Sequence, residues 1–372
     1  MKNYFITGAT GAIGSALIPI LLQDADTQVT LLLRASSADD LQGRLQSLYR
    51  FWQIDAADRS LSSRVRALRG DVTRPDFGLD AADFRALAAE CTHIVHSAGN
   101  VRMNLPIEAA RRSAVDSARQ IIALARRCPR IEKIEFVSTV GVGGRTHGTV
   151  PEEWLTGERS FHNTYEQSKA EAEDLIRVEL ESGLPLTVHR PSMVVGDSSN
   201  GRIIHFQVFY HLCEFLSGRR TFGLAPNFGV ARLDIVPADY VGGVIAWSSR
   251  TANSCGRIIH TCSGPALALP LNPLRERVRH AFSHAGRRLP ALINLPTGLF
   301  SAILSAASLL MPPDARRAVR TLPVFLEYLA TEQTFANHRS QELLSVAGLT
   351  VPAAEQYLDQ VLGYYLENSP QK

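Results

Sequence analysis

Six short apolar runs alternate with helical stretches over the first two-thirds of the chain, and that alternation leaves few folds open. The runs are YFITGA (4–9), QVTLLLR (28–34), VRALRGDV (65–72), HIVHSAG (93–99), KIEFVSTV (133–140) and LTVHRPSMVV (186–195). Between them the spacing predicts helices that include Ile13–Gln23, Ala38–Trp52, Pro106–Arg127 and Tyr165–Glu181. Strand–helix–strand alternation is the pattern of βαβ units and a parallel sheet. Several runs are apolar on both faces, as a sheet covered by helices on each side requires. The expected fold class is α/β, a doubly wound parallel sheet.

After Gly196 the rhythm changes. LDIVPADYVGGVIAWSS (233–249) reads as a late strand and helix, and GRIIHTC (256–262) as one more strand. The intervening 197–229 and the tail from 263 are helical or irregular. The expected division is a nucleotide-binding domain over 1–196 and 230–262, and a smaller, mostly helical substrate region over 197–229 and 263–372. Such a region would sit over the carboxyl edge of the sheet, where these folds bind ligands. The run HFQVFYHLCEFL (205–216) fits an amphipathic helix that either packs its apolar side or lines an acyl tunnel. Residues 291–313 carry no charge, a length that could nominally span a bilayer. Pro296, Gly298 and several serines interrupt it, so a buried or substrate-lining helix over Thr297–Pro312 is expected, with weak membrane association as the alternative.

Composition removes other classes. A net charge of +3 over 372 residues, without a block of like charges, argues against nucleic acid. Cys91, Cys128, Cys213, Cys255 and Cys262 make neither a CxxC nor a metal spacing, and they read as reduced thiols in a cytoplasmic protein. His93, His96, His162 and His189 likewise make no metal spacing, and no metal is expected.

The stretch TGATGAIG joins the first strand to the first helix and makes the fold Rossmann-type. Gly8, Gly11 and Gly14 permit a tight turn, close approach to a pyrophosphate and close helix packing. Thr7, Thr10, Ala12 and Ile13 complete the cradle, whose helix N-terminus offers free N–H groups to an anion. The spacing is GxxGxxG rather than GxGxxG, and its place at the first strand–helix junction gives it weight. The second strand ends at Arg34, where an NAD enzyme would place a carboxylate on the ribose. An arginine there suits a 2′-phosphate, with Arg44 on the next helix as a second partner, so NADPH is expected over NADH. Asp71 and Val72, ending the third strand, are expected beside the adenine. Ser97, Ala98 and Gly99, ending the fourth, are expected under the nicotinamide side.

Of 39 basic residues only four are lysine, and one of them, Lys169, stands four residues after Tyr165 on the same helical face. A free phenol has a pKa of about 10. A cation held close favours the phenolate and is expected to lower that value. Lysine can do this while also donating to a cofactor ribose, which a planar guanidinium does with different reach. Thr139 ends the fifth strand and can donate to the same substrate oxygen. Hydroxyl, phenol and ammonium are thus expected to converge as a catalytic group.

These motifs resemble those of the extended short-chain dehydrogenase/reductases over residues 1–262, and more narrowly the thioester reductase and fatty acyl-CoA reductase branch. FITGATGAIGSALIPILL, GDVT, HIVHSAGNV, FVSTVGVGG, FHNTYEQSKAEAE, RPSMVVGDSSNG and LDIVPADYV carry the resemblance. It implies NADPH-dependent reduction of an acyl thioester, on coenzyme A or on an acyl carrier protein acting in trans, to an aldehyde or onward to the alcohol. It also implies that Pro191 and Ser192 lie near the nicotinamide carboxamide. A homodimer is common in the superfamily. The chain departs from the family in SAVDSAR (113–119), where Ala114 replaces an asparagine of the usual proton relay. The same three catalytic residues would equally serve a ketone reductase or hydroxyl dehydrogenase. A non-catalytic NADP-binding regulator is the third reading, and the intact Tyr165–Lys169 pair stands against it.

Overall fold

In the computed structural model the six alternating runs and the later run 256–262 become seven parallel strands. The structure describes residues 1–55, 58–296, 298–300, 302, 303, 306 and 333–369. The strands are β1 (Lys2–Thr7), β2 (Thr27–Leu33), β3 (Val65–Arg69), β4 (His93–His96), β5 (Lys133–Val137), β6 (Leu186–Pro191) and β7 (Ile258–Thr261). Their order across the sheet is 7-6-5-4-1-2-3, every neighbouring pair parallel. The order reverses between β1 and β4, which makes the crevice at their carboxyl ends the place for a ligand.

The longer helices among the described residues are α1 (Ala12–Leu21), α2 (Ala38–Trp52), α3 (Ala81–Glu90), α4 (Ser117–Ala125), α5 (Thr164–Glu181), α6 (Val208–Leu216), α7 (Ala238–Ser248), α8 (Leu271–His284), α9 (His338–Ser345) and α10 (Leu358–Asn368). On one face of the sheet Leu17, Ile18, Leu45, Leu48, Val241 and Val244 from α1, α2 and α7 share a core. On the other, Phe84, Ile121, Leu124, Ala172 and Ile176 from α3, α4 and α5 pack on Phe5, Ile94 and Phe136. A third core joins α6, α8 and α10 through Phe209, Leu274, Phe282, Val361 and Leu362.

Two expected elements break where the ligand edge needs them to. The long run 186–195 is interrupted at Ser192: β6 stops at Pro191, and Met193–Val195 pairs instead with Ile235–Pro237. The helix predicted over 106–127 is Ile107–Arg111, a π-turn over Arg112–Asp116 and then α4. The aromatic run 205–216 forms α6, and Phe209, Tyr210, Phe215 and Leu216 are buried in the helical core. Thr297–Pro312 falls largely outside the described residues. Among the described residues no helix is long and apolar enough to cross a membrane.

Past that stretch the chain returns to the sheet. Thr334–Phe335 pairs with Thr149–Val150, and Ser340 on α9 accepts the His260 N–H of β7 at 2.8 Å. Beneath this return lies a buried ion pair. Arg190 donates twice to Glu173, at 2.9 and 2.6 Å, and also to the Glu153 carbonyl at 3.0 Å. The clasp ties β6 to α5, the helix that carries Tyr165 and Lys169.

Candidate active site

A cleft of about 260 Å³ opens at the carboxyl edge of the sheet, and most of the expected site residues line it. Its floor begins with the glycine turn. Gly8 holds a left-handed φ of +80°, and a Cβ there would lie 2.6 Å from the Ala98 nitrogen. A Cβ on Gly14 would lie 2.3 Å from the Gly8 carbonyl oxygen. Only glycine fits either place. Gly11 stands at the N-cap of α1 without a side-chain cap, and the first turn carries no acidic residue. The helix therefore keeps its amide donors and partial positive charge for a ligand. Thr7 is buried behind the turn: its hydroxyl meets His96 Nδ1 at 2.8 Å, and its carbonyl accepts the Ser97 hydroxyl at 2.9 Å. Burial, with Lys169 adding to it, pushes the His96 pKa down to about 3, so this imidazole is a neutral strut.

The wall that carries Thr139, Tyr165 and Lys169 comes from β5 and α5. Thr139 follows β5 and caps a short turn, its Oγ accepting the Gly141 N–H at 3.1 Å. The same hydroxyl lies close enough to the Tyr165 phenol to favour its ionised form. Helix α5 starts where it does because Asn163 accepts the Glu166 N–H at 3.0 Å while Glu166 accepts from the Asn163 amide and the His162 N–H. That places Tyr165 in the first turn and Lys169 one turn on. Lys169 is buried, donates to the Val137 carbonyl at 2.9 Å and lies 5.5 Å from the centre of the Phe136 ring.

The electrostatics correct one expectation. The Tyr165 phenol is pushed up to about 12, not down: burial dominates and the Glu166 carboxylate adds, against the nearby Thr139 hydroxyl. The ammonium of Lys169 is turned toward Val137 and does not offset this. Its own pKa falls to about 8 through burial, opposed by Glu173. At neutral pH the site thus presents a protonated phenol beside a charged lysine.

The remaining expected residues divide by place. Ser97, Gly99, Pro191 and Ser192 line the cleft with Gly11, Ala12, Ile13 and Gly14. Arg34, Arg44, Asp71 and Val72 do not; they lie at the ends of β2 and β3 and on α2, where an adenosine half would extend. Arg34 is exposed, whereas Arg44 already pairs with Asp40 at 3.0 Å. Asp71 turns its carboxylate to the Thr73 amide and hydroxyl, at 2.9 and 2.8 Å. Ala114 sits in the π-turn, and its carbonyl accepts the Ser117 hydroxyl at 3.0 Å.

Sequence reasoning missed Ser138, Glu166, Asp234 and the segment Gln333–Phe335, all of which line the cleft. Ser138 and Glu166 each adjoin a residue that was singled out, and Asp234 lies inside a stretch recognised only for its pattern. The buried hydroxyls of Ser138 and Ser192 have no hydrogen-bond partner among the described residues. A glycine cradle, an open helix N-terminus and orphaned hydroxyls in one cleft fit a dinucleotide.

Comparison with known proteins agrees with this geometry. Residues 6–245 match the family described as Male sterility protein. A linear gramicidin synthase from Brevibacillus parabrevis is 29% identical over 263 residues, 68% of this chain and 5% of that protein. Isonitrile lipopeptide synthase of Streptomyces coeruleorubidus is 33% identical over 200 residues, 53% of this chain and 13% of that protein. The chain therefore spans a small part of these relatives. The terminal R domain from the myxalamid PKS-NRPS biosynthetic pathway superposes with a TM-score of 0.82 at 25% identity, covering 99% of this chain and 91% of that one.

Proposed function

The chain belongs to the male sterility protein family, reductases of the extended short-chain dehydrogenase/reductase type, and on that premise we propose that it reduces an acyl thioester with NADPH. The observation that carries the reading is the single cleft that holds Thr139, Tyr165 and Lys169 beside the glycine turn. The superposed R domain of a PKS-NRPS biosynthetic pathway, together with the two synthases, supports a thioester carried by a partner protein. Arg34 at the end of β2, with Arg44 released from Asp40, would meet a 2′-phosphate and supports NADPH over NADH.

A dinucleotide held on the Gly8–Gly14 turn would supply the hydride that the thioester carbonyl carbon needs. The chain's own residues do the rest. The Tyr165 phenol and the Thr139 hydroxyl donate to the carbonyl oxygen as it gains charge, in a site where a few donors are worth far more than in water. The hemithioacetal then collapses to an aldehyde and a thiol. Lys169 keeps a positive charge one helical turn from Tyr165 and, released from the Val137 carbonyl, would donate to a cofactor ribose. Val101, Met103, Val208 and Leu233 give the cleft an apolar side suited to an acyl chain.

The test follows NADPH oxidation and thiol release together, with acyl groups offered on coenzyme A and on a carrier protein. One thiol per NADPH is expected for an aldehyde product, and one per two NADPH for an alcohol. NADPH-dependent turnover of ketones without thiol release from any thioester would overturn the proposal.

A further inference from the structure

Thr139 and Tyr165 belong to the two ends of one connection, residues 138–163, that leads from β5 to α5. Thr139 caps the short turn Val140–Gly143, and the Gly144 N–H returns to the Gly141 carbonyl at 2.9 Å. Further on, the Arg145 N–H donates to the Ser160 carbonyl at 2.8 Å. Arg159 donates to the Val142 carbonyl at 2.8 Å and pairs with Asp174 on α5 at 3.7 Å. The limb that follows Thr139 is thus tied to the limb that precedes Tyr165, and to the helix that carries it.

A segment from the far end of the chain grips this loop. Gln333 Nε2 donates to the Gly144 carbonyl at 2.8 Å and to the Thr146 carbonyl at 2.9 Å. Both partners are acceptors, so the amide turns its nitrogen toward them and not its oxygen. Beside it the Thr334 N–H donates to the Gly148 carbonyl at 3.0 Å, the Thr334 and Thr149 hydroxyls meet at 2.8 Å, and the Ala336 N–H donates to the Val150 carbonyl at 2.9 Å. Phe335 is buried in one cluster with Val140, Val150 and Cys262. Gln333, Thr334 and Phe335 also line the cleft, on the wall that holds Thr139 and Tyr165. The strap therefore meets the loop at the bend where it leaves the Thr139 turn and becomes exposed, at residues 145–149.

We propose that Gln333 is a positioning residue: its amide locks the bend at residues 144–146 and so fixes the Thr139 turn, and with it the start of α5, against the cleft. This rests on the reading that Thr139 and Tyr165 donate to the substrate oxygen. Two donors aimed at one atom tolerate little movement, and a misplacement of about 1 Å can cost on the order of 10²-fold in rate. The glycine turn is held separately, by Thr7, His96 and Ser97. Loosening the strap should therefore spoil the donors and spare the dinucleotide.

Gln333→Glu and Gln333→Lys, made in the whole chain, are the test. Glutamate keeps the shape but turns acceptors on two carbonyl oxygens, whereas lysine keeps donors there. Amide hydrogen exchange in Gln333→Glu should accelerate over residues 140–149 and match wild type over β1 and α1. With an acyl thioester its kcat should fall by about 10–100-fold. Its NADPH affinity, read by fluorescence titration, should stay within about twofold of wild type. Gln333→Lys should recover the exchange protection and most of kcat. Faster exchange with unchanged kcat would show a merely structural strap and overturn the proposal. Equal losses in the two variants, or a matching loss of NADPH affinity, would overturn it as well. If Gln333→Glu does not fold, Gln333→Ala decides, since it removes the donors without adding charge: an unchanged kcat overturns the proposal. A wild type that reduces no thioester removes the reading beneath the proposal and the proposal with it, a different failure from a wild type that reduces thioesters and ignores the substitutions.

Discussion

Lys169→Met separates a residue kept for chemistry from one kept for the fold. Burial lowers the lysine from its ordinary 10.5 to about 8, so holding it charged at pH 7 costs the folded state roughly 3 kcal/mol. Against this stands its bond to the Val137 carbonyl at 2.9 Å, a charge-assisted contact that contributes about 1.5–3 kcal/mol. The two nearly cancel. Methionine fills similar space without the charge, so Lys169→Met should lie within about 1–2 kcal/mol of wild type at pH 7. Its activity should fall by about 10²–10⁴-fold.

The sign of the pH dependence adds a sharper test. For a lysine with a lowered folded pKa the penalty is fully present below about 8 and fades as pH rises toward 10.5, where the unfolded chain also loses the proton. Wild type should therefore gain on Lys169→Met by roughly 2–3 kcal/mol between pH 7 and pH 10. Urea unfolding of both proteins at the two pH values measures it. A variant less stable by more than about 3 kcal/mol at pH 7, or a gap that does not move with pH, would refute the account of a buried, costly ammonium.

Three further variants probe other parts of the site. Tyr165→Phe should lower kcat by about 10²–10³-fold while NADPH affinity, read by fluorescence titration, stays nearly constant. Replacing Arg34 and Arg44 together by alanine should weaken NADPH by about 10–100-fold, the worth of one or two charged hydrogen bonds, and leave NADH alone; equal loss for both cofactors would place the 2′-phosphate elsewhere. Glu173→Gln leaves the buried Arg190 guanidinium without its bidentate partner and should cost about 3–5 kcal/mol. Calorimetry reads this as a lower Tm, and an unchanged Tm would mean that the Pro151 and Glu153 carbonyls suffice for Arg190.

The parallel sheet and its glycine turn were legible in the sequence because they rest on short-range periodicity and on conformations that few residues adopt. Gly8 and Gly14 announce a turn that no other residue fits, and Ala38–Trp52 is a helix as its spacing predicts. What escaped depends on distant partners. The break at Ser192 arises because Met193–Val195 finds Ile235–Pro237 beside it, some forty residues away, and no local signal marks that exchange. The same holds for Asp234, whose carboxylate is held by the amides of residues 263 and 264. The direction of the Tyr165 shift escaped for a third reason. Spacing on a helix shows that a lysine is near, but not where its ammonium points or how far burial outweighs it.

That shift bears on which way the reaction runs. Reduction of a carbonyl needs a proton donor at the oxygen, whereas oxidation of an alcohol needs a base there. A phenol held near 12, with the Glu166 carboxylate beside it, is a donor throughout the physiological range. The charge next to it is the group that titrates, since Lys169 keeps its proton only below about 8. For thioester reduction kcat/KM should thus be level from pH 6 to about 8 and decline above, as the ammonium that favours developing negative charge is lost. A site built for alcohol oxidation would show the opposite slope, rising with pH as its base is exposed. Measured across pH 6–10 with saturating NADPH, a rate that climbs through pH 8 would show that the phenol acts as a base, and would return the hydroxyl dehydrogenase reading to first place.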